Sequence, residues 1–351
     1  MAKITQKDRK FQQFLKVQPK AISLPSSEEL IKLDYLESKS NMPLVVSPAL
    51  ADVNIIDWIE SNHQLLKSKL HQHGAILFRN CNLTSIADFE NLTQAICSDL
   101  HCDYGDLPPI EASNKVYNVT PFPADKTILF HNESSHLHCY PQKIWFFCMQ
   151  PAEVGGETPI VDCRQVYQLL NPKVRAKLQQ KKLMYVRNYI EGLDVSWQDF
   201  FRTESKAAVE KYCHTAKIEY EWLPNNGLRT RKTRPAIIQH PDTKDTVFFN
   251  QIQLHHISYL DQKVRQSLLS IFTTENLPRN VYYGDGSPIE EEEIVAINQA
   301  YQQAKVSFTW QKGDVLMLDN ILTAHSRNPY QGKRKVFVAM GDLVRCSDVA
   351  E

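Results

Sequence analysis

The sequence predicts a β-sandwich or jelly roll with a helical periphery, and three observations carry the prediction. Short apolar segments, rich in β-branched and aromatic residues and bounded by Pro, Gly, Asn or Asp, dominate from Lys143 onward, which is strand-and-turn grammar. Segments with helical periodicity are confined to the N-terminal part and to one stretch near the C-terminus. A chain of 351 residues with 42% hydrophobic and 23% charged residues has material for one large core.

Element by element, "SSEELIKLDYL" reads as a capped helix, with Ser before Glu and apolar residues at helical spacing. "IIDWIESNHQLLKSKLHQHG" reads as an amphipathic helix that ends at Gly74. "AILFRN" is a short buried strand, and "TSIADFENLTQAIC" a helix capped by Thr84 or Ser85. The strands then follow: "KIWFFCMQPA", "TPIVD", "LMYVRNYI", "PAIIQHP", "TVFFNQI", "VSFTWQKGDVLMLDN" and "KRKVFVAMGDLV". "SPIEEEEIVAINQAYQQAK" interrupts them as a helix. Ser287 caps it, Pro288 fits the first turn, and the glutamates lie where the helix dipole favours negative charge. The predicted organisation is a leader segment over residues 1–40, packing on the core or trailing from it, and a single jelly-roll domain over 41–351 with a helical insertion around 287–305.

Bulk properties exclude several classes of function. Lys plus Arg and Asp plus Glu both number 40, so no net field recruits nucleic acid or a membrane surface. No apolar run reaches the roughly 18 residues that span a bilayer, and "MAKITQKDRKFQQFLKVQPKAIS" lacks a signal-peptide core. None of the 8 cysteines forms a Cys-x-x-Cys pair. Reduced thiols in a cytoplasmic protein are the expectation.

"LFHNESSHLH" concentrates the chemistry. Its approach is strand-like, and residues i and i+2 of a strand share a face, so His131 and Glu133 would converge. A third ligand must come from elsewhere. His325 in "GDVLMLDNILTAHSR" is the preferred one, sitting in a loop just past a buried strand. His136, His138, His255 and His256 are rivals that composition does not exclude. Two histidines and one carboxylate with open positions are the ligand set of non-haem Fe(II) oxygenases. "PAEVGGETPIVDCR" adds Gly155, Gly156 and Thr158 between two strands, and "QGKRKVFVAM" adds Arg334. Period-two alternation puts Arg334 on one face with Val336, Val338 and Met340. If that face is the core, the guanidinium needs a carboxylate partner, and a dicarboxylate cosubstrate clamped by Arg334 and Thr158 fits. If Lys335, Phe337 and Ala339 face inward instead, Arg334 is solvated; the pattern does not decide.

"FHNESSHLHCYPQKIWFFCMQPAEVGGETPIVDCRQVYQLL" and "FTWQKGDVLMLDNILTAHSRNPYQGKRKVFVAMGD" resemble the taurine dioxygenase (TauD/TfdA) family, most of all its clavaminate-synthase-like and syringomycin-hydroxylase-like branch. "YVRNY", "SWQDFF", "HPDTKDTVFFNQIQLHH" and "YYGDGSPI" follow that branch in the same order, so the resemblance runs from about residue 40 to 345. It implies a double-stranded β-helix, which is a jelly roll, and an Fe(II)- and 2-oxoglutarate-dependent dioxygenase. His131, Glu133 and His325 would bind iron, and Thr158 and Arg334 the distal carboxylate of 2-oxoglutarate. Oxidative decarboxylation to succinate and CO2 would be coupled, with O2, to oxidation of an unactivated C–H bond. Hydroxylation is the expected outcome, with desaturation or cyclisation as variants. Glu133 follows the clavaminate-like branch and argues against halogenation, for which relatives carry a small residue there.

Two departures stand out. His325-Ser326-Arg327 replaces the usual His-Gly-Arg, and "YGDLPPIEASNKVYNVTPFP" differs from the relatives' entrance segment. The branch often acts on amino acids, free or on a peptide-synthetase carrier domain. A small-molecule substrate is therefore expected, and neither nucleic acid nor a membrane as partner. Asn250 and Arg327 are weak substrate-binding candidates; Gln251, Arg79, Arg187 and Arg229 read at least as readily as structural. Asp319 and Asn320 lie where outer-shell partners of the ligands would be, or simply end a strand. A jelly-roll metal-binding module without turnover is the alternative from another class.

Overall fold

Strand Cys139–Gln150, the 12 residues CYPQKIWFFCMQ, forms the centre of the main sheet. It pairs antiparallel with Val315–Asp319 on one side and Lys335–Arg345 on the other. The protein is described from a computed structural model over residues 30–36, 41–100, 109–110, 113–119, 121–190, 192 and 194–345. Over these, the main sheet has eight strands in the order Ile31–Tyr35, Leu44–Pro48, Ala75–Phe78, Val315–Asp319, Cys139–Gln150, Lys335–Arg345, Ser113–Asn118 and Pro109–Ile110.

Alternation along these strands serves two cores, because successive side chains point to opposite faces. Trp145, Phe147, Met317 and Ala339 pack with Trp58, Leu66, Leu70, Phe89 and Leu92, residues of the N-terminal helices. Ile144, Phe146, Leu316, Leu318, Val336, Val338 and Met340 pack with Ile160 of the second sheet. Each such aromatic or aliphatic side chain contributes about 1.5–3 kcal/mol on burial. The second sheet has the order Ile128–His131, Thr323–Arg327, Ile160–Asp162. Two facing sheets make the jelly roll. Phe130 of the second sheet stacks on Tyr301 of helix Glu291–Ala304, with ring centroids 5.3 Å apart. A separate four-stranded sheet, Glu219–Leu223, Gly227–Arg234, Leu183–Tyr189 and Arg279–Tyr283, packs its own small cluster of Tyr189, Trp197, Val209, Cys213 and Leu228.

Four local expectations are corrected. "SSEELIKLDYL" holds strand Ile31–Tyr35, paired with Leu44–Pro48. Ile31, Leu33 and Tyr35 also alternate with period two, and the open sheet edge supplies hydrogen bonds that an isolated short helix cannot match. The main sheet thus begins inside the segment read as a leader, of which residues 1–29 and 37–40 lie outside the described residues. The long amphipathic helix is two helices, Ile55–Ser61 and His63–His73, broken where the Asn62 side-chain Nδ2 donates to the Trp58 carbonyl at 2.8 Å. Gly74 closes the second in the left-handed conformation, as expected. The acidic helix starts at Glu291, capped by Glu290 with Glu293 answering; Ser287 belongs to the preceding turn and holds Asp285. Helices Cys163–Leu169, Pro172–Lys181, Lys206–Thr215 and Gln262–Ile271 form where the sequence pattern assigns none, each capped by a polar side chain: Asp162, Asn171, Ser205 and Asp261.

The expected helix Ile86–Ile96 forms with a capping box between Ser85 and Asp88. Six cysteines of the described residues are free, and burial pushes the thiols of Cys81, Cys97, Cys148 and Cys163 up to about 12. Cys102 and Cys346 lie outside the described residues.

Candidate active site

The register of the second sheet sets the histidines face to face: His325 is the direct partner of His131. Their ring centroids lie 4.3 Å apart. Glu133 Oε2 is 3.7 Å from His131 Nε2, and donor atoms of His131, Glu133 and His325 all fall within 4.8 Å of one another. The route to this convergence differs from strand alternation. His131 ends its strand, Glu133 sits in the turn that follows, and Ser134 takes a φ of 56°. His325 lies inside strand Thr323–Arg327, not in a loop.

The two imidazoles are held differently. His131 Nδ1–H donates to the Leu129 carbonyl at 2.8 Å, which orients the ring with Nε2 towards Glu133. Burial, reinforced by the neighbouring His131, lowers the His325 pKa to about 3. Its Nδ1 is buried and has no hydrogen-bond partner, so the expected outer-shell acceptor is found for His131 alone. Phe146 packs on the His325 ring at 5.0 Å. Two nitrogens and one carboxylate at this spacing fit Fe(II) with further positions left for exogenous ligands.

Arg334 precedes strand Lys335–Arg345, whose Val336, Val338 and Met340 do face the jelly-roll interior, while Phe337 and Ala339 serve the outer core. Its Nε donates to the Gly156 carbonyl at 3.0 Å, and no carboxylate of the described residues forms an ion pair with it. Burial, and the nearby Arg327, bring its pKa down to about 10. Gly156 has a φ of +74°, and a Cβ there would stand 3.1 Å from Arg334 Cδ. The left-handed φ favours glycine here, and a Cβ would also crowd Arg334, Tyr330 and Ala152. Thr158, two positions on and buried, accepts from Trp310 Nε1 at 3.2 Å.

The rival histidines are engaged elsewhere. The His136 and His255 rings pack on each other, tilted by 51° with centroids 4.9 Å apart, and His255 Nδ1–H donates to the Gln251 carbonyl at 3.1 Å. His138 meets the Tyr212 hydroxyl, and His256 accepts from the Ser258 amide. Among the described residues a second cluster, His71, His240 and Asp319, also brings donor atoms within 4.8 Å. There the Asp242 and Thr243 amides donate to His240 Nδ1, so Nε2 carries the proton and donates to Asp319 Oδ2 at 3.0 Å. A protonated nitrogen is no ligand, and the pair is structural: Asp319 Oδ1 accepts the Ile321 and Leu322 amides and ends the strand.

The substrate-binding candidates also find protein partners. Asn250 spends Nδ2 on the Tyr301 hydroxyl and Oδ1 on the Ile252 amide, and is fully buried, which removes it as a substrate contact. Arg327 donates through its two terminal nitrogens to the Phe122, Pro123 and Lys126 carbonyls and so holds a loop, while its buried Nε has no partner among the described residues. Arg79 pairs with Asp314, Arg187 with Asp194, and Arg229 with Asn188 and Glu221. Gln251 bridges the Asn132 carbonyl. Trp310 and Phe146, which hold Thr158 and His325, escape a reading of the sequence; aromatic residues inside strands carry no signal that separates support of a site from ordinary core.

His255 gives a pH prediction. Burial first, then Arg279, takes its pKa from the ordinary 6.5 down to about 3. The unfolded chain therefore binds a proton below pH 6.5 that the folded chain refuses until about pH 3, and stability falls as pH drops through that window. This group alone should lower unfolding free energy by about 2 kcal/mol between pH 6.5 and about pH 5. Denaturant titrations across this range are expected to show the loss, and His255→Gln to flatten the slope by about one proton.

A jelly roll that brings two histidines and a carboxylate together, with a partly buried arginine that has no carboxylate partner among the described residues, has the features of the non-haem iron oxygenases that use a 2-oxo acid. The chain belongs to the taurine catabolism dioxygenase TauD, TfdA family, whose model matches residues 42–340, and it is an Fe(II)- and 2-oxoglutarate-dependent dioxygenase. It is 37% identical over 301 residues to the dapdiamide synthesis protein DdaC of Enterobacter agglomerans, covering 86% of this chain and 91% of that protein. A clavaminate synthase-like protein of Arabidopsis thaliana is 28% identical over 326 residues, covering 87% and 95%. The fold matches a taurine dioxygenase from Burkholderia xenovorans with a TM-score of 0.52 at 14% identity, covering 92% of this chain and 95% of that one. Among the described residues no helix is long and apolar enough to cross a membrane.

Proposed function

We propose that the protein hydroxylates an unactivated C–H bond of an amino acid or amino-acid-derived natural-product intermediate, free or held on a peptide-synthetase carrier domain. His131, Glu133 and His325 hold Fe(II), which when bound supplies the O2 chemistry. The observation that carries this reading is the convergence of the three donor atoms within 4.8 Å. Arg334 and Thr158 hold the distal carboxylate of 2-oxoglutarate: the arginine is partly buried, charged at neutral pH and without a carboxylate partner among the described residues, and the Thr158 hydroxyl can still donate because Trp310 occupies only a lone pair. A relative named for dapdiamide synthesis supports a biosynthetic substrate.

The test is anaerobic addition of Fe(II) and 2-oxoglutarate to the apo protein, read as the visible metal-to-ligand charge-transfer band. Succinate release is then screened across amino acids, free and as carrier thioesters. A band followed by substrate-stimulated succinate is expected. Iron binding without a band would remove the oxygenase assignment of these residues and leave the metal-binding module.

A further inference from the structure

We propose that Asn132 and Asn320 are positioning residues that lock the two ligand-bearing segments onto each other, so that the spacing of the His131–Glu133 pair from His325 is set by the protein and not by the metal. The inference rests on the reading of these three residues as ligands. Glu133 sits in a turn outside the strand ladder, so no neighbouring strand holds its backbone. The Asn320 side chain does so instead. Its Oδ1 accepts from the Glu133 amide at 2.7 Å, and its Nδ2 donates to the Glu133 carbonyl at 3.0 Å and to the Pro141 carbonyl at 2.8 Å.

The grip is returned from the other side. Asn132, between the two ligand positions, sends Nδ2 to the carbonyls of Asn320 at 2.7 Å and Thr323 at 3.3 Å, the link that leads into strand Thr323–Arg327 and His325. Its Oδ1 accepts from the Asn250 amide at 3.1 Å. Both side chains are 0% exposed. Each must present a donor and an acceptor at once, to main chain that offers both, and a carboxamide supplies them without a charge from two separate atoms far enough apart to reach both. An aspartate would set a buried anion against carbonyl oxygens.

The test uses the full chain as Asn320→Ala, Asn320→Asp, Asn132→Ala and the double alanine variant. Asn188→Ala serves as control, because that amide is equally buried but binds Glu275 and Leu277 carbonyls away from the ligands. Mn(II) affinity by calorimetry and the d–d spectrum of the Co(II) protein are read beside apo thermal unfolding. The expected result is a Mn(II) Kd raised about 10–100-fold in the single variants, as for outer-shell partners elsewhere, with a displaced Co(II) band. The double variant should lose little more than either single one, since both break one junction. Asn188→Ala should lose thermal stability with affinity and spectrum unchanged. If Asn320→Ala does not fold, Asn132→Ser, with one donor and one acceptor on a shorter arm, replaces it. Folded variants with wild-type Mn(II) affinity and Co(II) spectrum would overturn the proposal, as would an equal effect at Asn188. Should His131→Ala and Glu133→Ala leave Mn(II) affinity untouched, the ligand reading itself fails, and the positioning role with it.

Discussion

His325→Ala is expected to abolish specific Fe(II) binding while leaving the fold in place. The side chain removed is an imidazole whose Nδ1 is buried without a partner in the apo protein. Its loss therefore breaks no hydrogen bond, and the apo protein should lose only a cavity contribution of about 1–3 kcal/mol. The metal-bound protein behaves differently. A ligand that binds the folded chain alone stabilises it by about 2.7 kcal/mol at 100 times its Kd, so wild type should show a melting temperature that rises with added Mn(II). In His325→Ala that rise should vanish, with affinity reduced beyond the roughly 100-fold ceiling typical of outer-shell changes. Glu133→Ala and His131→Ala should behave alike. A metal-dependent rise that survives in all three variants would place the ion elsewhere.

Much of this site is legible in the amino-acid sequence, and the reasons are local. His-x-Glu, Gly-Gly-x-Thr and the distal histidine and arginine are short patterns whose chemistry is readable residue by residue. Period-two alternation puts Val336, Val338 and Met340 on one face, and that face is the interior one. What stays hidden depends on contacts across the chain. The pairing of His325 with His131 is a sheet register, and no segment encodes its own partner. Glu133 converges through a turn held by Asn320, not through the pleat. The Ile31–Tyr35 segment carries both helical and alternating patterns, and only the free edge of Leu44–Pro48 decides between them. Asn250 and Arg327 look available in the sequence because it shows a polar group but not the Tyr301 hydroxyl or the loop carbonyls that occupy it.

Arg334→Ala is expected to weaken 2-oxoglutarate binding by about 100–1000-fold with Fe(II) affinity unchanged. That magnitude, about 3–4 kcal/mol, follows from removing one partner of a partly buried, charge-assisted pair, the low end of the cost of stranding a buried charge. In the proposed clamp Arg334 is that partner. Its pKa of about 10 records burial beside Arg327, an arrangement that a bound carboxylate relieves. Arg334→Lys keeps a cation but loses the fork, and should recover only part of the affinity. Gly156→Ala separates position from charge. A Cβ at a φ of +74°, 3.1 Å from Arg334 Cδ, strains the turn and pushes the arm aside while the guanidinium stays. If both Arg334→Ala and Gly156→Ala raise the 2-oxoglutarate Kd in an anaerobic charge-transfer titration, the clamp acts through geometry as well as charge. If Arg334→Ala leaves the titration unchanged, the distal carboxylate is held by another group and the Gly155-Gly156 turn serves packing alone.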